Sequence, residues 1–202
     1  DEEKLVNPEN IKSEASWKGD DFPHNVSFGA LKEAIEESAS NVDSNVDIFI
    51  RDEVVVEEDL IIPENVNVKI PEDATLTISE GVVVQNNGSV EVDGEFNQEG
   101  MFNTEANWKE GTTDFYGTLK EAIDVVNDED SDVTDITIVG DVALKEDITI
   151  PEGANVTINE GAKLTVPNGK GLENNGSITN NGTLSNNGII SNNSAIINEG
   201  LV

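Results

Sequence analysis

From Ile48 onward the apolar residues come in short bursts at alternate positions. Ile48 and Ile50, Val54 and Val56, Leu60 and Ile62, Val66, Val68 and Ile70, Leu76 and Ile78, Val82 and Val84, and Val90 and Val92 are each separated by one residue. A period of two is that of a strand with one buried face. The turn-forming stretches IPEN, IPED, ISEG, QNNG and VDGE cut the pattern at even intervals. The anchors Ile62, Ile70 and Ile78 recur every eight residues, as do Ile150, Ile158 and Val166; the interval then tightens to six through Leu172, Ile178, Leu184, Ile190 and Ile196. Strands so short and even predict an all-β fold, a parallel β-helix (β-solenoid). Each coil would have three strands and three corners, with about 18 residues per coil where the unit is six and about 24 where it is eight, stacked about 4.8 Å apart. A sandwich of hairpins is the alternative, since Asn-Gly is also a hairpin turn; a hairpin protein would rarely keep so even a beat. In the NNG units Gly is expected to supply the backbone angles of a corner. Asn is expected to tolerate left-handed φ there and to stack into amide ladders.

The pattern occurs twice. SEASWK at 13–18 matches TEANWK at 104–109, GALKEAI at 29–35 matches GTLKEAI at 117–123, and EDLIIPENVNVKIPE at 58–72 matches EDITIPEGANVTINE at 146–160. From Gly29 to Asn103 the offset is an unbroken 88 residues with roughly 29 identities in 75 positions; the one slip is three extra residues between Trp17 and Phe28. The chain therefore divides into an N-terminal segment at 1–12, possessing a faint likeness to the tail of a module, a module at 13–103 and a module at 104–202. Each module opens with a short helix, expected at 29–38 and 117–127. Leu119, Ala122, Ile123 and Val126 form an apolar face in the second, where Thr118 and Glu121 have the spacing of a capping box. Leu31, Ala34 and Ile35 form the face in the first. The first helix is expected to cover the start of the first coil stack and the second to sit between the two stacks.

Helix with LKEAI, then DITIVGDV, then ITIPEGANVTINEGAKLTV, then NNG units: this succession resembles the pectin-lyase-like right-handed parallel β-helices of large secreted surface proteins and adhesins from Gram-positive bacteria and some archaea. The resemblance spans about residues 28–103 and 116–200. It implies a right-handed coil, an extracellular or cell-surface location, and a role in stalks, adhesion or envelope layers; the spacing alone also admits a left-handed hexapeptide helix.

Charge narrows the partners. The chain has 42 acidic and 11 basic residues in 202, a formal net charge of −31, which repels nucleic acid and anionic lipid heads. No apolar run reaches the length of a membrane span. Without cysteine there is neither a disulfide framework nor a thiolate metal site. Arg51 has Val139 as its equivalent in the second copy and reads as a surface residue; His24, the one histidine, falls in the slip and reads as a loop residue. Neither makes a nucleophile–base pair, and no carboxylate pair stands out among so many, so no catalytic residue is expected. Calcium is the one ion with candidate ligands, Asp128, Asp130 and Asp132 in a D-x-D-x-D run. An EF-hand would require Gly where Val133 stands and Glu where Val139 stands, so no cofactor is assigned. The N-x-S/T sequons arise largely from the NNG beat. Trp17 and Trp108 occupy matching positions. They are the candidate sugar-stacking residues, with packing at the module boundary, in one cluster with Phe28, Phe115 and Tyr116, as the simpler role.

The expected function is non-enzymatic: a structural or adhesive surface module whose copies align end to end, within a longer array or between chains. The alternatives are a module that binds glycans or a host ligand, and a polysaccharide lyase or hydrolase.

Overall fold

The computed structural model describes residues 15–19, 27–29, 31–39 and 45–202, the first two segments by their backbone. The segment 1–12, His24, and the side chains of Trp17 and Phe28 lie outside the described residues.

The chain forms a β-solenoid of stacked parallel strands. A short hairpin, β1 (Ala15–Gly19) and β2 (Ser27–Gly29), precedes helix α1 (Leu31–Ala39). The first rung is β3 (Val46–Ile50), β4 (Glu53–Val56) and β5 (Leu60–Ile62). The second is β6 (Val66–Ile70), β7 (Thr75–Ile78) and β8 (Val83–Asn86), and the third β9 (Ser89–Val92), β10 (Glu95–Gln98) and β11 (Met101–Asn103). A second hairpin, β12 (Ala106–Glu110) and β13 (Thr113–Gly117), and helix α2 (Leu119–Val126) lead into the second stack. Its rungs are β14 (Asp135–Ile138), β15 (Asp141–Ala143) and β16 (Ile148–Ile150); β17 (Asn155–Ile158), β18 (Lys163–Val166) and β19 (Gly171–Asn174); and β20 (Ser177–Asn180), β21 (Thr183–Asn186) and β22 (Ile189–Asn192). β23 (Ala195–Asn198) starts one more turn.

Within each stack every strand pairs in parallel with the strand one rung on. The apolar residues expected inward, from Ile48 to Val92, are all buried. Rung length follows the corners. Leu60 pairs with Val84, 24 residues on; Val54 with Leu76, 22 on; and Ser177 with Ala195, 18 on. The longer units close with four-residue turns in which the fourth N–H donates to the first carbonyl, as Ala154 to Pro151 (3.2 Å) and Ala162 to Asn159 (3.0 Å). The third residue of these turns is Gly153 or Gly161, with φ of +88° and +85°, the left-handed region that glycine enters without strain.

The NNG corners work differently, and here the sequence expectation is corrected. None of their Asn or Gly residues is among those with positive φ. Gly88 instead lies against the turn of the rung beneath: a Cβ there would be 2.2 Å from Val66 O and 2.4 Å from Pro63 O. Gly182 lies the same way on Asn159 O (2.2 Å) and Ala162 O (2.4 Å). In these corners glycine is required by proximity, and the tightness lets a six-residue unit replace one of eight. The first Asn of each pair points inward. Asn86, Asn174 and Asn180 are buried in columns whose residue one rung below is Ile62, Ile150 and Ile158.

The expected amide ladders are present. Asn174 Nδ2 donates to Asn192 Oδ1 (2.7 Å) and Ala195 O (2.9 Å), and Asn180 Nδ2 to Asn198 Oδ1 (2.6 Å) and Leu201 O (2.8 Å). An outer ladder links Asn193 Nδ2 to Asn175 Oδ1 (2.8 Å). The buried Oδ1 atoms of Asn86, Asn174 and Asn180 accept no hydrogen bond, because an isoleucine beneath offers no donor.

Both helices form where the apolar spacing placed them, within two residues at each end. The capping box is there: Glu121 N–H donates to Thr118 Oγ1 (3.2 Å), and Thr118 N–H to Glu121 Oε2 (3.0 Å). Leu119, Ala122 and Ile123 join the core of the second stack, and Leu31, Ala34 and Ile35 that of the first.

Candidate functional site at the module junction

The two stacks are joined by the second hairpin, which enters one sheet of the solenoid. That sheet has 11 strands in the order β2-β1-β3-β6-β9-β13-β12-β14-β17-β20-β23, and it passes from one end of the described fold to the other without a break. β13 pairs antiparallel with β9, and β12 antiparallel with β14. The four other sheets have three strands each and stop at the junction. The sequence pattern did not reveal the hairpin. In ANWKE only Ala106 and Trp108 alternate, TDFYG sets Phe115 directly beside Tyr116, and SEASWK is legible only as a repeated word.

Register shows what the hairpin does. Residues directly opposite in paired strands lie on one face of the sheet. Tyr116 opposes Val90, whose side chain is in the first core. Trp108 opposes Ile136, in the second core, and also Phe115. Phe115 opposes Glu91, on the outer face of the first stack. The two cores therefore occupy opposite faces of the shared sheet, and the chain steps from one face to the other at the hairpin.

The expected single aromatic cluster is accordingly two. Trp108 is 6% exposed, its ring stacked on Phe115 at 5.7 Å between centroids, within the second core. Tyr116 meets Phe96 (5.7 Å) and Phe102 (5.5 Å) edge to face, and these meet each other at 5.0 Å. This trio closes the end of the first core: Phe96 stacks over Leu76 and Phe102 over Val84. The buried side chains of α2, Leu119, Ala122 and Ile123, join the second core.

The hairpin also ends the first amide column. Asn86 Nδ2 donates to Thr104 Oγ1 (3.3 Å) and Tyr116 O (3.2 Å), and Thr104 Oγ1 donates to Gly117 O (3.2 Å). Thr104 stands 18 residues after Asn86, where Asn192 stands relative to Asn174, so a hydroxyl and a hairpin carbonyl take the place of the next amide. Lys145 Nζ reaches Glu64 across the junction at 2.6 Å, with both side chains mostly in solvent.

Burial, with a smaller contribution from Asp114, raises the pKa of the Tyr116 phenol. It is the single tyrosine of the chain, and its alkaline absorbance titration reports the junction directly. The midpoint should lie above the ordinary value of about 10 and return to it in denaturant. A raised folded-state pKa means that the junction's stability is intact below the unfolded value and declines as pH rises through the folded one. A midpoint unchanged by denaturant would place Tyr116 in water.

The other candidate residues are dispersed. Asp128, Asp130 and Asp132 lie exposed after α2, where Asp128 Oδ1 accepts the Asp130 N–H (3.0 Å), while Val133 is buried in the second core. Among the described residues no three His, Cys, Asp or Glu side chains are placed to hold a metal ion. Arg51 is exposed, far in sequence from the junction. Among the described residues no helix is long and apolar enough to cross a membrane.

Beside the hairpin a cleft of about 810 Å³ opens between the stacks, lined by Gln85, Gln98, Asn103, Asn107 and Tyr116 among others. Compared with protein-family models, curated proteins and solved structures, the chain finds no match.

Proposed function

We propose that this chain is a non-enzymatic structural or adhesive module of an extracellular cell-surface protein, aligned end to end with further copies in a stalk, fibre or envelope layer. The observation that carries the reading is the unbroken 11-stranded sheet: one module is joined to the next by strand pairing, through an element that each module possesses at its start. A joint of that kind transmits load through backbone hydrogen bonds, and as a heterologous contact it propagates into an open filament wherever its rotation does not close a ring. The resemblance to pectin-lyase-like surface proteins supports the same reading. The charge of −31 fits a soluble rod that resists lateral aggregation.

Sedimentation and electron microscopy of the purified chain test it. Two bodies of equal sign repel, so particles should lengthen with protein concentration and with ionic strength, which screens the repulsion. Monomers under all such conditions would reject assembly between chains.

A second reading, glycan or host-ligand binding, is favoured by the junction cleft, whose carboxamides and Tyr116 are groups that hydrogen-bond and stack on neutral sugars. A glycan array would separate it from the first.

A further inference from the structure

We infer that the outer edge of β23 is the docking site for β2 of a second copy of this chain, in the antiparallel register in which β13 docks on β9. The inference rests on the end-to-end reading and specifies its contact.

β2 and β23 are the two terminal strands of the 11-stranded sheet, so each has one edge without a strand beside it among the described residues. In a parallel stack every strand offers the next rung the same set of N–H and C=O groups. β9 and β20 are equivalent across the 88-residue repeat, and β23 stacks on β20, so the outer edge of β23 has the pattern that β9 presents to β13. The hairpins are equivalent as well. Ala15 opposes Gly29 and Trp17 opposes Ser27 in the first, as Ala106 opposes Gly117 and Trp108 opposes Phe115 in the second. The edge and its complement are thus both present, at opposite ends of one sheet.

The register follows residue by residue. Phe115 opposes Glu91; the offset carries Phe115 to Ser27 and Glu91 to Thr179, which stacks under Ile197. Ser27 of one copy therefore opposes Ile197 of the other. By the same route Phe28 opposes Ile196, as Tyr116 opposes Val90. The tip suits that arrival. Ile196 and Ile190 are only partly buried at the end of the second core, and Ile197 and Ile189 are exposed. Asn192, equivalent to Asn86 one rung further on, donates Nδ2 to the nearby Ser194 O (2.9 Å). Docking would offer it the Phe28 carbonyl, as Asn86 has that of Tyr116.

The chain has no cysteine, so the contact can be trapped cleanly. Directly opposed antiparallel residues lie about 4.5–5.5 Å apart at Cα, within disulfide range. Ser27 and Ile197 are separated by the width of the sheet within one chain, which excludes an internal bridge. Ser27→Cys protein mixed with Ile197→Cys protein, under mild oxidation at high ionic strength, should give a cross-linked dimer at least about tenfold faster than Ser27→Cys mixed with Ile189→Cys, whose thiol would sit on another side of the tip. The double variant Ser27→Cys/Ile197→Cys should give a ladder of dimers, trimers and longer species. Equal rates for the two mixtures would overturn the register. Wild-type oligomers in sedimentation together with equal rates would overturn this contact while leaving end-to-end assembly standing; absence of wild-type oligomers would remove both.

Discussion

Gly88→Ala should destabilise the first stack by at least ~3 kcal/mol, whereas Gly153→Ala should cost only about 1–2 kcal/mol. The two glycines look alike in sequence, each the third residue of a corner, and physics separates them. Gly153 has φ +88° with nothing within 4 Å of an added Cβ, so alanine there meets only the backbone penalty of the left-handed region. Gly88 has no such φ, but its Cβ would fall 2.2 Å and 2.4 Å from two backbone carbonyl oxygens and 3.2 Å from Val66 C. None of these belongs to a side chain that could swing away; they form the turn that supports the next rung. Relief requires the rungs to part, which breaks the hydrogen bonds beside the corner, among them Asn87 N–H to Ile62 O (2.9 Å). Equilibrium denaturation of the two variants checks the order. Equal losses would mean that corner conformation, and not rung-to-rung proximity, fixes glycine in the NNG units.

That contrast shows where the sequence was legible. Period-two alternation located the strands because each inward side chain must be apolar to fill a narrow axis, and Ile48, Val68 and Ile158 are all fully enclosed. The six- and eight-residue beats reported the corners for the same reason. What a corner glycine does was not legible. A Gly used for φ and a Gly used for proximity are one letter, and the rung beneath, about twenty residues away, decides between them. The hairpins escaped for a related cause. β13 sets Phe115 beside Tyr116, and Trp108 of β12 faces one core while Tyr116 faces the other. Both faces of the hairpin therefore carry large apolar side chains, and the binary signal of a half-buried strand is lost. The step from face to face depends on the parity of Tyr116 against Val90 and Trp108 against Ile136. Parity is a property of register, and no local pattern encodes it. The hairpins were thus present in the sequence only as two repeated words, SEASWK and TEANWK.

The amide columns make the second large prediction. Asn180→Asp should destabilise the last rungs by about 3–5 kcal/mol at neutral pH, the usual result of leaving a buried charge uncompensated. Asn180 is enclosed, with Ile158 beneath it, and its Nδ2 donates to Asn198 Oδ1 and Leu201 O. A carboxylate has no proton to donate and would face those two oxygens. A flip of the Asn198 amide could convert one of them into a donor, at the loss of its bond to Gly200 O (3.1 Å), and the Leu201 carbonyl would still oppose the charge. Because Asn180 is near the end of a stack in which each rung rests mainly on its neighbours, the loss should emerge as opening of residues 177–201 ahead of the rest. Hydrogen exchange of those amides is the measurement. The pH dependence has a definite sign. Burial and two acceptor oxygens would raise the folded-state pKa of the introduced Asp above its unfolded value of about 3.9. Below that value the group is protonated in both states and the penalty vanishes; it grows as pH rises and is complete above the folded-state pKa. Asn180→Leu is the counterpart, for it continues the aliphatic column of Ile138 and Ile158 and removes the unpaired Oδ1. Its cost should be under about 1.5 kcal/mol and independent of pH. If Leu proved as damaging as Asp, the ladder's hydrogen bonds rather than its desolvation would dominate the tip, and the amide columns would be the strength of the rod rather than a tolerated way of narrowing it.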